Sequence, residues 1–450
     1  MKVRIPTDSF VRIADGETLF WNRRNTACAV LEGVEAFASR LSIEWVSAEN
    51  VFADMSRLFN VPQNEISSDF EPIVEDLLEH GLLEGDMPSI GQSAPTALPA
   101  SGSFDSHGQP QDEDWTPLGS FFEKHRIPAE LHIDLTAACT ERCVHCYLPD
   151  YPVKHLSINL VKKALHEFRE MQGLSVHLTG GECMLHPDFK EICSYCRELN
   201  LNMLILSNMT LCNADMVSFL KSCPPQFVNV SLYSMKPEEH DAITTVSGSW
   251  RKTMDAILAC EAAGVHIRLA TPLLKENQNA FADLKRFAIE HCMQLIPNAD
   301  IVPQCDHNCS NMEHACSPVE LERVVRPEKS LFDKGWGLDK DLSDDAPVCD
   351  VGVARIYLNS LGNYYPCDSM HGYVLGNVEM NSLAEVWGGD KFNQLRAIKN
   401  RDIPGCQKCP HRLYCKVCPA FNFNATGDLF KTISAKCANA AVIHKVYGRE

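Results

Sequence analysis

The sequence predicts an α/β protein built around a partial (β/α)6 barrel, with a small α+β domain of winged-helix-like type before it and a cysteine-rich domain after it. Three observations point there: strand and helix patterns that alternate from about residue 130, a break rich in Gly, Pro and Ser near residue 100, and cysteine spacing that replaces hydrophobic periodicity after about residue 345. The expected boundaries are 1–85, a flexible linker over 86–127, the barrel over 128–340 and the cysteine-rich domain over 341–450.

In the first part, "FVRIADGETLFWN" reads as two strands joined by an Asp-Gly turn, a short hairpin signal. "ACAVLEG" reads as a third strand, followed by helical stretches near 34–41 and 48–59. A third helix is carried by Phe70, Ile73, Val74, Leu77 and Leu78, an apolar stripe at i, i+3, i+4, i+7 and i+8. Ser67, Ser68 and Asp69 are its cap candidates, and Gly81 stands where a helix commonly stops. The stretch from 86 onward has few large apolar residues and reads as a linker.

The barrel rests on six strand candidates: "LHIDLT", "LSVHLTG", "NMLILSN", "FVNVSLY", "VHIRLAT" and "LIPNADIVP". Between them lie amphipathic patterns such as "SINLVKKALHEFREM", with Val161, Ala164, Leu165 and Phe168 on one face. Such alternation implies a parallel sheet with crossover helices. Right-handed crossovers curl that sheet into a full or partial barrel. Ligands in these folds bind at the C-terminal ends of the strands.

Composition bounds the function. A net charge of −18 argues against a nucleic-acid partner, which calls for a basic face. No apolar run reaches the ~18 residues of a membrane span, and the first residues lack the apolar core of a signal peptide. The expected location is the cytoplasm, where 21 cysteines point to metal or redox chemistry rather than disulfides. Eleven of them, including Cys28, Cys193, Cys196 and Cys260, are scattered and read as small buried hydrophobes.

The chemistry begins with "CTERCVHCY", which follows the first barrel strand and offers Cys139, Cys143 and Cys146. Three thiolates can hold three irons of a [4Fe–4S] cluster and leave the fourth iron open. The second strand ends in Gly180, Gly181 and Glu182, where glycines allow close approach to the backbone and a carboxylate can accept from an ammonium. CxxxCxxC after the first strand and GGE after the second resemble the radical S-adenosylmethionine (SAM) superfamily over roughly residues 128–310. The resemblance implies that Cys139, Cys143 and Cys146 hold the cluster, that SAM chelates its open iron, and that Glu182 meets the SAM amino group. It also places Ser207, Asn208, Ser231 and Arg268 at strand ends that contact ribose or carboxylate, and Tyr147 near the adenine. A cap or turn role is the alternative for Ser207 and Ser231, and His145 reads as structural.

Further on come Cys349, Gly362 and Cys367, then Cys406, Cys409, Cys415 and Cys418 in "CQKCPHRLYCKVC", and finally Cys437. A zinc ribbon is one reading of such a run. The whole set resembles the SPASM extension of radical SAM enzymes, which carries auxiliary iron–sulfur clusters. That resemblance implies one cluster on Cys406, Cys409, Cys415 and Cys437, and another on Cys349, Cys367 and Cys418. Arg355 stands where many members have a further cysteine, so Cys305, Cys309 and Cys316 are candidates to supply the missing ligand.

The first 85 residues resemble the PqqD-like recognition element of ribosomal-peptide maturases, in which an extended leader peptide adds a strand to a sheet edge. The edge here would be "ACAVLEG", beside the Phe70–Leu78 helix; a dimerisation domain is the alternative. Together the resemblances imply a radical SAM maturase that crosslinks a ribosomally made precursor peptide, a thioether first and a carbon–carbon bond second. They imply SAM, one SAM-binding and two auxiliary [4Fe–4S] clusters, and an electron donor such as a flavodoxin or ferredoxin. The rivals are a maturase of a folded protein, of sulfatase-activating type, and a non-catalytic iron–sulfur protein that binds a partner.

Overall fold

A computed structural model describes residues 1–86, 116–327, 343–349, 352–370, 372–415 and 417–448. The chain divides into two units. The first takes residues 1–86 with 116–129 and 172–174, and the second the remaining described residues.

The first unit holds two small sheets. Strands β2 (Ser9–Ala14), β3 (Glu17–Asn22) and β4 (Cys28–Glu32) form an antiparallel meander, as the hairpin signal predicts. Asp15 and Gly16 both turn with positive φ, 44° and 88°, the twist a two-residue hairpin requires. Strands β1 (Lys2–Arg4), β5 (Val46–Ser47) and β6 (Glu84–Gly85) make the second sheet, in the order β5-β1-β6. At two or three residues each, they are too short to leave a periodic signal.

Both faces of the meander are covered, one for each phase of its two-residue period. Val11 and Phe20, with Ala29 and Leu31, pack toward Phe37, Phe52, Met55, Val74 and Leu77 on the helical side. Phe10, Leu19 and Trp21, with Cys28 and Val30, pack toward Leu118, Phe121 and Phe122. Those last three belong to the helix Thr116–His125, which corrects the linker expectation for 86–127 at its C-terminal end. Each large side chain buried there contributes roughly 1.5–3 kcal/mol, which is why the chain folds again at this point. The rest of the expected linker, up to residue 115, lies outside the described residues. The helix Gln63–Glu79 also begins earlier than Ser67–Asp69, which lie inside it. Ile66 is buried in the same cluster as Val74 and Leu77 and extends the apolar stripe by a turn. Gly81, at φ 67°, follows the helix end as expected.

The second unit carries the predicted parallel strands: β7 (Glu130–Thr136), β8 (Ser175–Gly180), β9 (Asn202–Ser207), β10 (Phe227–Ser231), β11 (Ile267–Pro272) and β12 (Gln294–Asn298). They pair in sequence order with helices between them. The sheet does not stop at β7. Strands β13 (Arg355–Leu358), β14 (Asn363–Tyr365) and β15 (Gly376–Asn377) extend it to nine in the order β12-β11-β10-β9-β8-β7-β13-β14-β15. The β13 strand lies parallel to β7, with Arg355 opposite Glu130 and Tyr357 opposite His132. The sheet is open, since no strand among the described residues joins its ends. Leu131, Ile133 and Leu135 of β7 face the helix-packed core, so His132, Asp134 and Thr136 face the other way, into the barrel.

Candidate active site

A bulge between Asp134 and Thr136 ends β7 and turns the chain into the cysteine loop. Backbone bonds hold this loop in place: Arg142 N–H donates to Thr244 O (3.0 Å), Val144 N–H to Ile243 O (3.0 Å) and Cys146 N–H to Cys143 O (3.0 Å). Asn311, only 3% exposed, donates from Nδ2 to the carbonyls of Val302 (2.7 Å), His145 (3.2 Å) and Cys146 (3.3 Å). Cys139, Cys143 and Cys146 are all half-buried and lie close enough to influence one another's ionisation. The Cys143 sulfur is 3.5 Å from the Tyr233 hydroxyl and 3.6 Å from Glu141 Oε2. Burial pushes the Cys139 thiol up to about 12 and raises Cys143 and Cys146 as well. Without metal these are neutral thiols, and binding iron must displace their protons.

The GGE segment lies directly against this loop. Gly181 N–H donates to Thr136 O and Glu182 N–H to Ala138 O, both at 2.8 Å. A Cβ at Gly180 would collide with the Thr136 carbonyl oxygen, and one at Gly181 with the carbonyl oxygens of Ala138 and Ala137, the latter at 2.6 Å. The two glycines therefore admit the cysteine loop's own backbone, a more local need than the ligand approach expected from sequence. Glu182 is fully buried. Its carboxylate accepts from Met184 N–H (3.0 Å), Asn208 N–H (2.8 Å) and the Ser207 hydroxyl (2.8 Å). Burial outweighs these donors and raises its pKa. Three donors fill most of a carboxylate's acceptor capacity. Asn208 in turn reaches Thr140 Oγ1 (2.9 Å) and approaches the Cys139 sulfur (3.7 Å). Glu182, Ser207 and Asn208 thus form one buried platform beneath the cysteine loop.

Of the other expected contacts, Ser231 is the last residue of β10 and its hydroxyl bonds Tyr233. The Tyr147 hydroxyl bonds Tyr357. Arg268 departs from expectation: it is the second residue of β11, not its C-terminal end, and its guanidinium lies 4.7 Å over the Phe227 ring. Strand register, which sequence does not show, sets that level. His145 is half-buried and packs edge-on to Tyr233, with ring centroids 5.1 Å apart. Sequence patterns alone do not mark Tyr233 and Asn311 as neighbours of the loop, nor Glu141, within it, as a contact of Cys143. The sequence held one unread clue in Asp134, an acid on an inward position of the first strand. Burial pushes Asp134 up to about 7, against a hydrogen bond from the Tyr357 hydroxyl.

Cys349, Cys367 and Cys418 line a single cavity of about 210 Å³, together with Arg355, Asp368 and Met370. Cys305, Cys309 and Cys316 do not line it, which corrects the idea that they complete its ligand set. Cys305 instead donates its N–H to Tyr147 O, on the first cysteine loop (3.2 Å). Cys406, Cys409, Cys415 and Cys437 gather separately, each within electrostatic reach of another of the four. A zinc ribbon draws its four sulfurs to within about 3.8 Å of one another, as Zn–S bonds of about 2.3 Å require. Among the described residues no three cysteine sulfurs lie within 4.8 Å of one another.

Comparison with known proteins agrees with this geometry. The radical SAM superfamily matches residues 133–288, and the SPASM iron–sulfur cluster-binding domain matches residues 349–410. The chain is 26% identical to the antilisterial bacteriocin subtilosin biosynthesis protein AlbA of Bacillus subtilis (strain 168) over 369 residues, 75% of this chain and 79% of AlbA. It is 24% identical to an AdoMet-dependent heme synthase of Methanosarcina barkeri over 332 residues, 66% of this chain and 92% of that protein. In fold it resembles Streptococcus suis SuiB bound to precursor peptide SuiA, with a TM-score of 0.62 at 16% identity over 97% of this chain and 100% of SuiB. SuiB bound to S-adenosylmethionine gives 0.63 at 16% identity, over 96% and 99% of the two chains. The chain carries a radical SAM domain and a SPASM domain, and it is a radical SAM enzyme that uses S-adenosylmethionine and [4Fe–4S] clusters.

Proposed function

We propose that the enzyme matures a ribosomally made precursor peptide by installing a crosslink, a thioether in the first instance and a carbon–carbon bond in the second. AlbA, named for the biosynthesis of a bacteriocin, and SuiB, solved bound to a precursor peptide, support this reading. The observation that carries it is the open edge of β4. Asn22 N–H donates to Ala27 O and Gly33 N–H to Gly16 O, which sets the parity of the β3–β4 ladder. By that parity the backbone groups of Val30 and Glu32 point away from β3. No strand among the described residues pairs with that edge. An extended leader peptide can add there as a fourth strand.

In the second unit, Cys139, Cys143 and Cys146 would hold the SAM-binding cluster. Cys349, Cys367 and Cys418 would hold one auxiliary cluster, and Cys406, Cys409, Cys415 and Cys437 the other. Bound there, SAM and the reduced cluster supply a 5′-deoxyadenosyl radical able to remove a hydrogen atom from the peptide. The chain's own part is placement. Asn311 and the Glu182–Ser207–Asn208 platform fix the loop, Tyr233 packs against Cys143, and Gly180, Gly181, Glu182 and Tyr147 border the cofactor. A flavodoxin or ferredoxin in the cytoplasm is the proposed electron donor.

The test is binding of fluorescent peptides, encoded by short reading frames beside this gene, to the full-length protein. One peptide is expected to bind at micromolar concentration or below, and Val30→Pro is expected to weaken it at least tenfold. Proline at 30 removes an outward N–H and spares the bonds to β3. Equal binding by the variant would place the leader elsewhere, and no binding by any such peptide would turn the reading toward a folded protein or small molecule.

A further inference from the structure

Every sulfur of the 139–146 loop is met by a hydrogen-bond donor, and one of these donors is a buried tyrosine. Cys139 accepts from Glu141 N–H at 3.4 Å, with Asn208 Nδ2 at 3.7 Å. Cys146 is bonded by the Tyr151 hydroxyl and by Leu148 N–H. Cys143 has the Tyr233 hydroxyl at 3.5 Å. Donors aimed at sulfur suit thiolates, the form in which cysteines bind iron, so the set fits the cluster assigned to this loop.

Tyr233 is only 4% exposed and is fixed from several sides. Its N–H meets His240 Nδ1 at 3.3 Å, and its carbonyl accepts from Asn277 Nδ2 at 3.0 Å. Its ring packs against those of His145 and His240, with centroids 5.1 and 5.2 Å away. Between a neutral thiol and a phenol either group can donate. A thiolate on iron has no proton, so the bond then runs from Tyr233 to Cys143. That uses the tyrosine's one proton, and the Ser231 hydroxyl, bonded to the same oxygen, must donate to it. Glu141 Oε2, 3.6 Å from the Cys143 sulfur, can accept only while that sulfur keeps its proton. Iron binding ends the contact with Glu141 and strengthens the one with Tyr233, whose acceptor becomes charged.

We propose that the Tyr233 hydroxyl, backed by Ser231, donates to the Cys143 sulfur and raises the reduction potential of the SAM-binding cluster. A donor draws electron density from the sulfur and favours the form that carries the extra electron. Reduction adds one electron, taken from dithionite or from a reduced flavodoxin or ferredoxin. No bond breaks, and the shared proton stays on the tyrosine oxygen. Tyr233 acts through Cys143 and is a positioning residue. The inference rests on Cys143 as a cluster ligand and is independent of which peptide the enzyme takes.

The test is an anaerobic redox titration of the iron-loaded, full-length enzyme, read by electron paramagnetic resonance on the signal that SAM alters. Tyr233→Phe keeps the ring and loses the donor. Its ratio of reduced to oxidised cluster at a fixed potential is expected to fall roughly three- to tenfold, a midpoint about 30–59 mV lower at 59 mV per tenfold. Ser231→Ala is expected to move the midpoint the same way by less. Iron content, melting temperature and the auxiliary midpoints should stay at their wild-type values in both variants. An unchanged midpoint in Tyr233→Phe, or lost iron in place of a shift, would overturn the proposal and leave the cluster assignment standing. A Cys143→Ala enzyme that keeps the SAM-responsive signal would overturn both.

Discussion

The cysteine loop at 139–146 and the cysteine-rich stretch at 349–437 face the same demand, to hold thiols apart in fixed positions, and meet it differently. The first is held by the protein alone. Backbone bonds to Thr244 and Ile243, the Asn311 amide and the Asn208 side chain, whose own backbone N–H is anchored on the buried Glu182 carboxylate, all converge on it. The second runs through turns and short helices such as Leu383–Gly388 and Arg412–Tyr414, and its cysteines line a cavity where side chains would otherwise pack. The difference separates a loop fixed by hydrogen bonds from cysteines that border a cavity a metal cluster would fill, beside strands that belong to the main sheet.

Iron removal should expose that difference most strongly. After anaerobic chelation, hydrogen exchange is expected to rise around Cys349, Cys406, Cys409, Cys415 and Cys418, while the strands of the main sheet and the 139–146 loop keep most of their protection. Equal loss in both regions would break the comparison.

Asp134 joins the two regions, since its strand carries the loop while Tyr357, which donates to it, comes from β13. Its pKa is raised from 3.8 to about 7, so the folded state binds its proton more tightly than the unfolded chain does. That contribution is fully present below about pH 4 and is lost as pH rises through 7, a loss on the order of 4 kcal/mol. Asp134→Asn should remove this slope from stability measured by denaturant titration at pH 5 and pH 8. An unchanged slope would mean that the acid is not buried in solution.

How much of this was legible in the sequence follows the same division. The six barrel strands and the place of the cysteines after the first are local patterns, and the structure shows them where the sequence puts them. The β13–β15 extension was hidden because its strands are two to four residues long and the one that joins the barrel, β13, pairs with a strand more than two hundred residues away. The helix Thr116–His125 was hidden because its apolar face makes sense only against Phe10 and Trp21. Asn311 sits in "QCDHNCSNMEHAC", where the cysteines drew attention and the asparagine performs the contact. Arg268 shows the limit for single residues: its strand was legible and its level on that strand was not.

Two smaller effects sharpen the comparison. Gly181→Ala drives a Cβ into backbone carbonyls that have no flexible end to move, and should cost about 3 kcal/mol. Its cost should appear as lost SAM-binding cluster signal in electron paramagnetic resonance, with the auxiliary signals intact. Asn311→Ala leaves the His145 and Cys146 carbonyls without their donor, and should cost about 1–3 kcal/mol. A thermal melt checks the cost, and slower formation of 5′-deoxyadenosine with iron content unchanged checks its position beside the loop.

The most direct test of the account is mass spectrometry of the peptide that binds this enzyme, after anaerobic incubation with SAM and dithionite. The wild type should yield 5′-deoxyadenosine and a peptide lighter by two hydrogen atoms per crosslink, with one thiol lost to alkylation for each thioether. Cys139→Ala should yield neither. 5′-Deoxyadenosine from Cys139→Ala would contradict the cluster assignment, and a wild-type enzyme that cleaves SAM but leaves the bound peptide's mass unchanged would contradict the maturase reading.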